Sequence, residues 1–155
     1  MKRTIPILIV ILAIIPSIFA ADTSFSRIKV PDTKGKQVAA VLTFSDQNQT
    51  VEVRPVKGRG ITIPYSAISK FSYEYTKRHR INEGTIITAP LGIGALAMLT
   101  KSRSHWLEID YDDQNIRKAY VLRMDRRDYL HILEAVKTHT GKDAEILGNA
   151  DKRRK

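Results

Sequence analysis

The sequence predicts a mostly β domain closed by one C-terminal α-helix, at about residues 125–140. Three observations in the stretch Ser104–Gly141 carry this expectation. First, Leu107, Ile109 and Tyr111 alternate with Glu108 and Asp110, which is the period of a half-buried strand. Second, Asp112-Asp113-Gln114-Asn115 is turn chemistry, and Tyr120, Leu122 and Met124 follow on one face of a returning strand. Third, Tyr129, Ile132, Leu133 and Val136 fall at i, i+3, i+4 and i+7, the stripe of an amphipathic helix. Asp125 is placed to cap that helix and Gly141 to end it in a left-handed turn. An antiparallel sheet needs cover for its apolar face, and this helix is the long amphipathic segment available to it.

The bulk numbers bound the answer. At 155 residues and 43% hydrophobic, the chain can fill the core of one domain. It has no cysteine, which excludes a disulfide framework and a thiolate metal site. Its formal charge of +10 favours anionic partners: an acidic protein, an anionic lipid surface or nucleic acid.

In chain order, residues 1–20 read as a secretory signal peptide. Lys2 and Arg3 form the positive start, Ile5–Ile15 the apolar run, and Ser17-Ile18-Phe19-Ala20 a cleavage site after Ala20. The alternative is an uncleaved anchor, for which the run is short against the roughly 20 apolar residues of a span. The expected localisation is therefore export, to a periplasm or beyond the cell. Residues 21–36 form a lead-in, with Phe25–Val30 a possible edge strand. Residues 37–141 form the domain. Gln37–Ser45 and Thr50–Val56 make a hairpin around Asp46–Gln49, and Ile61–Ile63 is a third strand that Pro64 ends. Tyr65–Ile68 reads as one helical turn, and Lys70–Thr76 as a strand with Phe71, Tyr73 and Tyr75 on one face. Residues 142–155 have weak periodicity and read as a basic, solvated tail.

The segment Ile86–Thr100 runs fifteen residues without a charge. It is flanked by Lys77, Arg78 and Arg80 before it and by Lys101 and Arg103 after it. It fits an inner strand of the barrel, a dimer interface, or a loop dipping into an anionic membrane. The expectation carried forward is contact with a membrane or a protein partner through Leu91, Ile93, Leu96, Met98, Leu99, Lys101 and Arg103.

Two stretches carry a family resemblance. Ile61-Thr62-Ile63-Pro64-Tyr65-Ser66-Ala67-Ile68 resembles the strand, single-turn, strand signature of bacterial pleckstrin-homology-like (PH/GRAM-like) domains. The closing strand pair and helix resemble the end of the same superfold. The resemblance implies a partly open barrel of antiparallel strands, with Ile68 tucked beneath the sheet and the helix plugging one end. The superfold hosts lipid, peptide and protein binding, so it leaves the role open. Lipid-binding members carry basic residues in the first hairpin turn, whereas Asp46–Gln49 has none. Phe71–Glu74 and His105–Tyr111 also resemble the F-x-Y-E and H-W-L-x-I-x-Y blocks of small exported bacterial proteins of unknown function.

Other motifs read as structural. Gly92-x-Gly94-x-x-Ala97 matches a dinucleotide fingerprint only formally, since no crossover helix fits before the strand at His105. His79, His105, His131 and His139 lack the i, i+4 spacing of a helical zinc site, so no metal and no cofactor is expected. Arg117, Lys118, Arg123, Arg126 and Arg127 with nearby aromatics could meet nucleic acid, which an exported protein rarely encounters. The expectation is a non-catalytic binding or structural module that contacts a protein partner or a membrane surface. The alternative is a small envelope enzyme with a site around His105, Glu108 and Asp110.

Overall fold

The computed structural model describes residues 21–32, 36–78, 86–87 and 99–147. Within them the chain is mostly β, with one α-helix near the C-terminal end. The strands are β1 (Thr23–Pro31), β2 (Gln37–Ser45), β3 (Thr50–Pro55), β4 (Ile61–Pro64), β5 (Ile68–Arg78), β6 (Ile86–Ile87), β7 (Leu99–Asp113), β8 (Ile116–Met124) and β9 (Ala144–Leu147). The helix α1 spans Tyr129–Thr140. The sheet runs β4-β3-β2-β1-β8-β7-β5-β9, with β6 pairing β8 off this path. Among the described residues the path does not close, so β4 and β9 are its edges. The mostly β class, the open sheet and the single helix near the C-terminal end are as expected, while the β5–β9 and β6–β8 pairs are parallel and make the sheet mixed.

The first four strands form a meander because each turn is short and each strand alternates. In β3, Val51 and Val53 are buried while Glu52 and Arg54 face outward. The Asp46–Gln49 loop closes with Gln49 in the left-handed region at φ 54°, and Gln49 Nε2 donates to the Asp46 carbonyl at 2.8 Å. The helical turn expected after Pro64 is a 3-10 turn over Tyr65–Ala67, and it drops Ile63, Tyr65 and Ile68 into the core. In the β7–β8 hairpin, Asp113 pairs with Ile116 across Gln114 and Asn115, which both have positive φ, 52° and 64°. Two consecutive left-handed residues define the mirror-image turn that matches strand twist.

β1 differs from the expected edge strand. It lies inside the sheet, antiparallel to β2 along most of its length and to β8 at Ile28 and Lys29. The β1–β8 seam has only two register pairs, so the two halves of the sheet meet at a narrow junction.

The helix begins later than expected. Tyr129 is its first residue and Asp128 its N-cap, without a side-chain capping bond. Asp125 instead accepts the Arg127 backbone N–H at 2.9 Å, an Asx turn that competes with helix entry. Asp128 is held from outside the helix, because Arg27 Nε donates to its Oδ2 at 2.8 Å, and the guanidinium's second nitrogen reaches Oδ1. That bond holds the Asp128 carboxyl below the ordinary carboxylate range. The far end matches expectation: Gly141 sits at φ 68° and donates to the Lys137 carbonyl at 2.9 Å. Ile132, Ala135 and Val136 pack onto the core made by Leu42, Phe44, Phe71, Leu107, Ile109 and Leu122.

Candidate functional site

Of the residues expected to contact a membrane or partner, Leu91, Ile93, Leu96 and Met98 lie outside the described residues. Leu99 and Lys101 belong to the backbone of β7, and Arg103 is exposed.

The set His105, Glu108 and Asp110 does not converge. Register places His105 on the helix-facing side of β7, with Leu107 and Ile109, and places Glu108 and Asp110 on the opposite face. His105 lies in an aromatic stack, 3.9 Å from the Tyr129 ring and 4.6 Å from the Tyr75 ring, and its Nδ1 shares a hydrogen bond with Tyr73 OH at 2.8 Å. Burial, with Arg126 second, pulls His105 below its usual range, and burial pushes Tyr73 up to about 12. Both groups are therefore neutral near pH 7.

The carboxylates on the other face are buried, Glu108 at 1% exposure and Asp110 at 6%. Burial, with the Glu108 carboxylate second, pushes Asp110 up to about 6. The two share a hydrogen bond in which a proton is favoured. Lys70 Nζ stands 4.0 Å from Asp110 Oδ2 and offsets part of that shift. Trp106 and Val121 form a small apolar cluster on the same face, and Trp106 Nε1 donates to the Thr76 carbonyl at 3.1 Å.

A third polar cluster has no counterpart in the sequence reading. His139, expected only to complement the helix dipole, contacts Asp46 Oδ1 through Nδ1 and Thr23 Oγ1 through Nε2, both at 2.9 Å. Tyr65 OH donates to the same Asp46 oxygen at 3.2 Å, and the His139 ring stacks on Phe44 with centroids 5.4 Å apart. This cluster ties β1, the first hairpin turn and the end of α1 together. Its contacts span 93 and 116 residues of sequence, so no local pattern announces them.

The last described strand is also new. Residues 142–155 were expected to be a solvated tail, yet Ala144–Leu147 pair in parallel with Phe71–Glu74 as β9. Ala144 and Ile146 share the helix-facing side with Phe71 and Tyr73, and Glu145 and Leu147 share the other side with Ser72 and Glu74. Lys70 Nζ lies 3.2 Å from Glu145 Oε2, and Lys137 Nζ lies 3.0 Å from Asp143 Oδ1. Ile146 is 52% exposed and Leu130 of α1 is 58% exposed. Leu130 and Lys137 are seven positions apart, two helical turns, so they share a flank. The Lys137–Asp143 pair sets that flank beside the approach to β9.

No protein-family model matches the sequence, and no curated protein matches it. Among solved structures, the chain is similar to one described as the structure of the Spt16D Pob3N heterodimer, at 14% identity and a TM-score of 0.47. The likeness covers 83% of this chain and 55% of that one, so the chain spans about half the length of its structural neighbour. The fold assignment rests on the strand order and the seat of the helix themselves.

Proposed function

We propose that this protein is an exported, non-catalytic binding module that docks a protein partner. The observation that carries the reading is the β9 edge beside α1. Among the described residues it has unpaired backbone on one side, two half-exposed aliphatic side chains, Leu130 and Ile146, and ionic contacts at its rim. An exposed sheet edge next to apolar side chains is a standard seat for another chain. The division of His105 from Glu108 and Asp110 between two faces supports a role without catalysis, because no reacting atom can sit between groups on opposite sides of a sheet.

A membrane surface is the second reading, and the exposed cations Lys29, Arg103, Arg126 and Arg127 favour it. Site-specific photo-crosslinking in the producing cell separates the two. With the crosslinker at position 146, we expect a protein adduct of one defined mass. With it at position 56, where Val56 is 73% exposed, we expect none. Adducts at neither position, together with co-sedimentation on anionic vesicles, would replace the protein reading with the membrane one.

A further inference from the structure

We propose that β9 is a built-in substitute for the ligand, and that the β5 edge beside α1 takes an extended peptide of the partner in its place. This rests on the binding-module reading and names the ligand's chemistry. The substitution is physically easy. β9 is four residues long, and parallel pairing is slightly weaker per residue than antiparallel. Residues 141–143 form a short hinge between it and α1. Its two ion pairs are solvent-exposed, with side-chain exposures of 40% and 56% for Lys70–Glu145 and 67% and 76% for Lys137–Asp143. Exposed pairs of this kind hold little. Ala144 alone of the strand packs against the main core. What remains when β9 leaves is a complete sheet from β4 to β5 with α1 seated on it, and a fresh edge at Phe71–Glu74.

The strand that fills the edge shows what the edge accepts. The position beside Phe71 is small, filled by Ala144, and the next position on that side is aliphatic, filled by Ile146 near Tyr73. Between them, on the other face, Glu145 meets Lys70. Lys70 also faces Asp110, so its charge is held on this side of the sheet and is available to an incoming carboxylate. The ligand is therefore an extended segment reading small, acidic, aliphatic, running parallel to β5. Backbone bonds supply affinity, and the alternating side chains supply the selection.

The test uses the full chain and a fluorescent synthetic peptide of residues 142–149, read by anisotropy. The wild type should bind it weakly, because its own β9 competes. Glu145→Lys in the protein sets like charges against each other between β9 and Lys70 of β5, and should strengthen peptide binding by roughly threefold or more, since it removes the self-competition. Lys70→Glu should weaken binding, and a peptide with Lys at the acidic position should restore it. The chain has no cysteine, so a Ser72→Cys/Glu145→Cys pair gives a clean lock. Neighbouring strands lie about 4.8 Å apart, within disulfide reach. The oxidised form should not bind the peptide and the reduced form should, which keeps the test decisive even where Glu145→Lys fails to fold. A scrambled peptide binding equally well would overturn the proposal, as would binding indifferent to the lock. A Glu145→Lys protein that dimerises without peptide would also overturn it, assigning the edge to a second copy's strand. If the peptide fails while the crosslink at position 146 still forms, the binding-module reading stands and this inference falls.

Discussion

At the scale of single residues, the two faces of β7 oppose each other in pH. Asp110 is raised from 3.8 to about 6, so its contribution to stability is fully present below 3.8 and is lost as pH rises through about 6. His105 is lowered from 6.5, so its contribution is present above 6.5 and is lost as pH falls through its depressed value. Below about pH 6, wherever both groups titrate, the two slopes have opposite signs and flatten the wild-type profile. We expect Asp110→Asn to expose a steeper loss in acid, and His105→Phe to leave a protein that gains stability in the same window. Urea unfolding across pH 3.5–8 checks both, and parallel profiles for all three proteins would contradict the assignment. The sequence grouped His105 with Glu108 and Asp110 as one candidate site, although an odd spacing on a strand already separates them. What sequence could not give is the His139 cluster, whose partners come from β1 and the first hairpin turn. There, we expect His139→Ala and Asp46→Ala to be non-additive in a double-mutant cycle, with a coupling of about 0.5–3 kcal/mol. Additive effects would mean that the contact holds nothing.

At the scale of elements, the strands and the helix were legible where alternation or the 3.6 period ran long enough. β2, β3, β5, β7 and β8 follow the apolar pattern, and Gly141 ends α1 where its freedom at positive φ is needed. The helix start was misplaced by one turn because Asp125, a sound capping residue, spends its carboxylate on an Asx turn. β9 was missed because four residues with two exposed cannot show a period. Two glycines give contrasting predictions. At Gly141 a Cβ meets nothing within 4 Å, so Gly141→Ala should cost only the backbone term of about 1–2 kcal/mol. At Gly60 a Cβ would lie 2.9 Å from the Val53 carbonyl oxygen, so Gly60→Ala must push β3 and the β4 approach apart. Thermal unfolding should show both losses, and amide shifts in β3 should appear for Gly60→Ala alone. Shifts in β3 for both, or for neither, would contradict the contact.

At the scale of the whole molecule, the structure is a sheet that is complete from β4 to β5, a helix seated on it, and a short strand added to the outer edge. The narrow β1–β8 seam is reinforced by Arg27 on Asp128 and by the His139 cluster, which both bridge β1 to the helix. β9 is joined to the sheet by four parallel pairs on β5 and by solvent-exposed ion pairs, and the proposed role depends on its opening more readily than the strands inside the sheet. Native-state amide hydrogen exchange of the full chain measures it directly. The account predicts that the β9 amides exchange by local opening, well before those of β2, β3, β7 and β8, and that the Ser72→Cys/Glu145→Cys lock slows them. If the β9 amides instead exchange with the global unfolding of the sheet, β9 is a fixed part of the fold, and the β5 edge beneath it is not a place where another chain can enter.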